Sequence, residues 1–331
     1  MLMYNDNIII DGLQYCFWDK EYFLNLKVNG ITAVHVTLVY HESARQTLTR
    51  FAEWNKKFEL YSDLIMPVMN MDDVLVAKKT NKVGIFFGAQ NCSPIDDEIG
   101  LIEVMRKQGL LIMQLTYNNQ SLLATGCYEN NDSGLTRFGK QAIKEMNRVG
   151  MIIDMSHSAE HSTLEAIDES SRAICISHAN PSFAKPALRN KSNDVIKALT
   201  KRGGLFGFSL YPFHLPNNSD CTLENFCQMV ADTTELVGVD HLGIGSDLCL
   251  KQPLHILEWM RNGRWSKEMD YGEGSSTNND WPANPSWFRD NKGFKNIYSG
   301  LLKQGFYEDE CNKILGRNWF NFLNDGLKIN S

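Results

Sequence analysis

Short runs that are apolar on both faces recur along the chain, at 8–11, 33–39, 83–90, 111–116, 151–154, 173–177, 205–209 and 241–246. Runs of this kind read as buried parallel strands, because a strand covered on both sides shows no alternation. Between them lie stretches with helical spacing, at 136–149, 159–170, 193–201 and 223–237. Gly109, Gly150, Gly203 and Gly204 stand between a helical stretch and the next strand, where a helix stop belongs. Pro67, after Leu64–Met66, marks one irregular extra segment between the second and third strands. Eight strands alternating with helices predict a (β/α)8 barrel. The competing fold, a doubly wound open sheet, calls for a Gly-rich turn after its first strand, and Asp11-Gly12-Leu13 is not one.

The rhythm breaks at 250–291, which holds Trp259, Trp265, Trp281 and Trp287, four of the seven tryptophans. This excursion after the eighth strand is expected to be either a lid on the barrel mouth or a subunit contact. Helical patterning returns over 292–325 and closes the chain. The whole of 1–331 is read as one barrel domain.

Composition narrows the function. Apolar residues make up 43% and charged residues 22%, enough for a full core. With 33 basic and 39 acidic residues the net charge is -6, which argues against a general nucleic-acid grip. Eight scattered cysteines form no Cys-x-x-Cys pair and fit reduced, packed thiols. The N-terminus reads as neither signal peptide nor membrane span, and the polar C-terminus carries no anchor tail. The expectation is a soluble cytoplasmic protein with no membrane partner.

In a barrel, chemistry sits at the carboxyl ends of the strands. The fifth strand ends in Ile153-Asp154-Met155-Ser156-His157, the sixth in Ile176-Ser177-His178-Ala179-Asn180, and the eighth in Gly245-Ser246-Asp247. Two histidines and an aspartate thus converge from different strands, as metal ligands and a catalytic base would. The bland alternative makes the Ser-His pairs hydrogen-bonded wall residues. The histidines at 35, 41, 161, 214, 241 and 255 lack such placement; His35 reads as core and His161 as an exposed helix residue. Arg189 offers a bidentate clamp for a carboxylate, with Asn190 beside it. Tyr117, Asn118 and their polar neighbours end the fourth strand and suit hydrogen bonding to a small ligand. Gln90 ends the third strand; Asp11, in the first, reads as a structural hydrogen-bond acceptor.

Taken together these segments resemble the membrane (renal) dipeptidase family, the M19 metallopeptidases of the amidohydrolase-type barrel. Gln114-Leu115-Thr116-Tyr117-Asn118, Leu188-Arg189-Asn190 and the late Gly316-Arg317-Asn318-Trp319 add to the motifs above, and the resemblance runs from Ile8 to about Trp319. It implies hydrolysis of dipeptides at a two-zinc centre, and a homodimer. On that reading His157 and His178 match the two histidines of the second zinc, Asp247 the catalytic aspartate, and Arg189 the carboxylate clamp. The chain departs from the pattern elsewhere. Leu13-Gln14-Tyr15 stands where the resemblance calls for His-x-Asp, Gln90 for the bridging Glu, and Tyr117 for the carbonyl-polarising His. The first metal loses its ligands and the second its anion, so at most one zinc is expected, and none is an alternative; Asp247 and Cys92 are candidate third ligands. Tyr15, Trp18 and Tyr117 would bring aromatic surface to the mouth. Two functions follow: a dipeptidase-like hydrolase of a small amide or zwitterion, with Asp247 and Tyr117 catalytic and Arg189, Asn190, Tyr15, Gln90 and Asn118 holding substrate; or a repurposed barrel that binds a small carboxylate-bearing amine such as an N-methylated amino acid.

Overall fold

The computed structural model describes residues 7–264, 266–267 and 281–329. Nine parallel strands form one sheet: β1 (Ile10–Gln14), β2 (Ala33–Val39), β3 (Ile65–Pro67), β4 (Val83–Ala89), β5 (Leu110–Gln114), β6 (Ile152–Asp154), β7 (Cys175–Ala179), β8 (Leu205–Phe208) and β9 (Leu242–Ile244). Their order is β1-β2-β4-β5-β6-β7-β8-β9, with β3 added to β4 outside that path. The eight-strand barrel is therefore present, and the irregular segment around Pro67 is a short extra strand. A proline is admitted there because the strand lies at an edge.

The ring closes between β9 and β1. Beyond the ends of the two strands, Tyr15 N donates to Leu248 O (3.1 Å) and Asp247 N to Leu13 O (3.0 Å). Asp11 stitches the same seam from inside, accepting from Ser246 N (2.7 Å), Ser246 Oγ (2.5 Å) and Gln14 Nε2 (2.7 Å). The thin β6–β7 seam, with one ladder pair at Asp154 and Cys175, is stitched the same way. Asp154 accepts from Ser156 N (3.0 Å), Ser156 Oγ (2.6 Å), Ser177 N (2.9 Å) and Ser177 Oγ (2.5 Å). A buried carboxylate replaces ladder bonds where the strands are too short to make them.

Helices cover the outside. Those that bear on the site are α1 (Lys20–Val28), α2 (Ala44–Leu60), α6 (Glu160–Glu169), α7 (Asn193–Lys201), α8 (Leu223–Val237) and α9 (Leu254–Asn262). The expected 193–201 and 223–237 are reproduced to the residue, since Ser192 and Thr222 cap their first turns (Val195 N to Ser192 Oγ, 3.2 Å; Asn225 N to Thr222 Oγ1, 3.1 Å). The C-terminal helix α12 (Asn318–Gly326) plugs the barrel's amino-terminal end with Trp319, whose Nε1 donates to Ile244 O (2.9 Å). A Cβ on Gly12 would lie 2.3 Å from the indole, so a larger side chain cannot share that space. No helix among the described residues is long and apolar enough to cross a membrane.

The first strand corrects an expectation. It runs Ile10–Gln14 rather than 8–11. Asp11 and Gln14 are polar yet wholly buried, and Gln14 reaches the covering layer, where it also binds Asn291 (2.8 Å) and accepts from Tyr22 Oη (2.7 Å). Gln14 is thus a structural residue.

Candidate functional site

At the carboxyl end of the barrel, β6 delivers His157 and β7 delivers His178, with their Nε2 atoms 3.0 Å apart. His157 Nε2 also lies 2.8 Å from Gln90 Oε1, at the end of β4, and the Asn118 side-chain amide meets Nδ1 at 2.6 Å. The Tyr117 ring stacks on His157 at 4.2 Å. Gln90 is itself fixed by Thr37 Oγ1 (2.8 Å). His178 Nδ1 meets Ser177 Oγ (2.7 Å), and Ser177 Oγ donates to Asp154, so His178 gives its Nδ1 proton to the serine and keeps a lone pair on Nε2. A neutral His157 has one proton to give, either from Nδ1 to Asn118 Oδ1 or from Nε2 to Gln90 Oε1 and His178. Burial, and after it the Arg189 guanidinium, hold both imidazoles well below their ordinary pKa, so both rings are neutral.

Arg189 is 1% exposed. It donates to Ser156 O and to His178 O (3.1 Å), which fixes the loops carrying both histidines. Two of its five N–H groups are spent in this way. Lys191 lies next to it, donating to Ser158 O (2.5 Å); burial, then Arg189, pulls its amine down to about 8. Asn190 is committed elsewhere. Its amide serves Asn180 N (3.1 Å), Lys185 O (2.9 Å) and His214 O (3.0 Å), so it shapes the wall and does not face a ligand.

Asp247 follows β9 with φ at +58°, a left-handed conformation that aspartate tolerates better than most residues. Burial pushes its carboxyl up to about 7, with Arg189 opposing the shift. It opens on a cavity lined by Tyr15, Tyr211, Cys249, Trp281, Pro282 and Asn284, with room for about one water. Tyr15, Tyr40 and Tyr117 form a buried apolar cluster at the mouth with Trp259, Met260 and Trp281 packed on it. Both described arms of the excursion therefore rest on the barrel mouth. His41 ties α9 down through Met260 O (3.2 Å) and stands edge-on to Tyr117 (5.2 Å) and Trp259 (5.4 Å). Glu42 reinforces this by accepting from Tyr40 N (2.7 Å), His41 N (3.1 Å) and Trp259 Nε1 (3.1 Å). Trp265, also part of the excursion, lies outside the described residues.

Several placements differ from expectation. Trp18 is not at the mouth; it packs on Tyr22, Phe23 and Trp54 between α1 and α2. Cys92 is buried beside Ser121, where burial raises its thiol to about 11, and it is no ligand. His35, by contrast, is the core residue expected, its Nδ1 2.6 Å from Gly12 O. Tyr40, His41 and Tyr211 belong to the site and carried no sequence signal. Each follows a strand by one to three residues, but none falls in a recurring motif.

A two-zinc centre needs anionic ligands, and the donors here do not supply them. Leu13 and Tyr15 replace the first ion's ligands. The second would have two neutral imidazoles and one amide oxygen, with Arg189 and Lys191 buried alongside. Among the described residues, no group of three or more His, Cys, Asp or Glu can hold a metal ion. The residues present do not fit the two-zinc centre.

The family model for membrane dipeptidase (peptidase family M19) matches residues 27–258. The dipeptidase tcpJ of Claviceps purpurea (strain 20.1) is 23% identical over 290 residues, covering 87% of this chain and 61% of that protein. The chain thus spans about three fifths of the length of that curated relative. A crystal structure of an amidohydrolase from Pseudomonas aeruginosa superposes with a TM-score of 0.92 at 34% identity, covering 98% of both chains. A metallopeptidase from Rhodobacter sphaeroides, liganded with a phosphinate mimic of the dipeptide L-Ala-D-Ala, shares the fold at a TM-score of 0.80 and 14% identity, over 96% of this chain and 99% of that one.

Proposed function

The chain belongs to the membrane dipeptidase family, peptidase family M19, and on that premise we propose that it is a dipeptidase-like hydrolase that cleaves the C–N bond of a small amide without a zinc centre. The observation that carries this reading is Asp247: a buried carboxyl, poised near neutrality, opening on a small cavity, with the Arg189 guanidinium favouring its charged form. Arg189 has N–H donors left for a substrate carboxylate, and its anchoring on two backbone carbonyls pre-organises it. In its anionic form Asp247 takes a proton from the attacking water and returns it to the leaving amine, so one water is consumed and one acid and one amine are released. Tyr117, held on His157, donates to the carbonyl oxygen. His157, His178, Gln90 and Asn118 form the rigid floor that sets the Tyr117 ring.

The test is a panel of dipeptides, N-acyl amino acids and β-lactams, assayed with and without added Zn²⁺. Turnover independent of zinc and abolished in Asp247→Asn is expected. Absence of turnover above the Asp247→Asn control contradicts the reading.

A second reading has its own support. Tyr15, Tyr40, Tyr117, Tyr211 and Trp281 give the mouth an aromatic wall that suits a methylated ammonium, with Arg189 for a carboxylate. On this reading the barrel binds an N-methylated amino acid without cutting it. Saturable binding of N-methylglycines with no turnover on the panel would favour it; no binding at millimolar concentration would reject it.

A further inference from the structure

Tyr40 directly follows β2, and its ring stands between two others. Tyr15 meets it at 6.3 Å and 88°, Tyr117 at 6.1 Å and 80°, both edge to face. The residue is buried, and its hydroxyl has no hydrogen-bond partner among the described residues. The ionisable groups it faces come from separate elements: Tyr117 after β5, Cys249 and Asp247 after β9, and Glu42 after β2. The packing of this ring against its neighbours would be served equally well by phenylalanine. A buried, unpaired hydroxyl costs stability, and such a group calls for an explanation in a partner that is absent. Its flanking rings, Tyr15 and Tyr117, and the Asp247 carboxyl among the groups it faces put that partner beside the cavity that Asp247 and Tyr15 line, where the scissile carbonyl would lie.

We propose that Tyr40 is a further catalytic residue, whose hydroxyl donates a hydrogen bond to the substrate carbonyl oxygen as that oxygen becomes an oxyanion. This rests on the hydrolase reading and supplies what that reading lacks, a second donor opposite Tyr117 in a site with no metal to polarise the carbonyl. Burial keeps the phenol proton in place well above its usual range, so the group is a donor throughout the working pH. No proton leaves Tyr40; the bond strengthens as charge builds on the oxygen, and it therefore favours the transition state over the bound amide.

Tyr40→Phe removes the oxygen and keeps the ring. Without ligand, the variant should melt at the wild-type temperature or a few degrees above it, since the lost atom had no partner. Its kcat should fall about 100-fold with KM little changed. A phosphinate mimic of L-Ala-D-Ala, which carries a tetrahedral anionic oxygen, should bind the variant more weakly by a similar factor, while D-alanine, which lacks that oxygen, binds both proteins alike. Equal phosphinate affinity in the two proteins overturns the assignment whatever the turnover. A fall in melting temperature together with a proportionate loss of activity also overturns it, by showing that the hydroxyl has a structural partner. Absence of turnover in both proteins, with the phosphinate difference retained, overturns the hydrolase reading and leaves Tyr40 as the oxyanion donor. Failure of the phosphinate to bind wild-type protein rejects both.

Discussion

Asp247 bears a folding cost that its role explains. Its carboxyl rises from the ordinary 3.8 to about 7 because burial disfavours the charge more than Arg189 restores it. A carboxyl with a raised folded pKa stabilises the fold below its unfolded pKa, and that contribution is lost as pH rises through the folded value. Asp247→Asn should therefore be more stable than wild type at pH 8, by up to about 4 kcal/mol if the full shift is expressed. The difference should shrink between pH 7 and pH 4 and vanish below. Chemical denaturation of both proteins at several pH values checks this, and an advantage independent of pH would contradict it. Turnover should run the opposite way, rising with pH through about 7 as the base is freed. At this scale the sequence was partly legible. His157, His178, Arg189 and Asp247 lie in short motifs at strand ends, so their meeting could be read from order alone. Tyr40 and Tyr211 could not, because a tyrosine after a strand carries no pattern that separates a site hydroxyl from a packed ring. Asn190 sits in the Leu188-Arg189-Asn190 motif as expected, but its amide is spent on backbone groups.

Among the elements, the excursion after β9 does the most to shape the site. Its two described arms bring Trp259, Met260, Trp281 and Pro282 over the mouth, and the cavity beside Asp247 holds only about one water. Glu42 is the fastening, since it accepts one hydrogen bond from Trp259 of α9 while two more, from Tyr40 N and His41 N, fix its carboxylate at the end of β2. Glu42→Ala should cost about 2–4 kcal/mol and raise amide exchange across 254–262, while exchange in β4 and β5 stays slow. Uniform change across the barrel, or none in 254–262, would remove Glu42 from that role. The helices were legible because their apolar stripes and caps obey local rules. The bounds of β1 were not, because Asp11 and Gln14 are polar residues that are wholly buried, and a periodicity argument counts polar as exposed. The short β3 was legible only through Pro67, because three residues at an edge carry almost no pattern.

For the molecule as a whole, the chain belongs to the M19 family, while the donor set at the carboxyl end of its barrel does not fit a two-zinc centre. The strand ends here carry two imidazoles, an amide and tyrosines, with a buried lysine on the loop after β7. A divalent ion placed between His157 and His178 would meet two neutral rings and one amide oxygen, with two buried cations beside it. The account stands or falls on that donor set. The most direct test is the zinc content of the full chain, purified without chelator or histidine tag, incubated with excess Zn²⁺, passed over a desalting column and measured by plasma mass spectrometry. Zinc no higher than in His157→Ala prepared the same way is the result expected. One zinc per chain that disappears in His157→Ala, or two per chain, would contradict the account and return the site to metal-assisted hydrolysis.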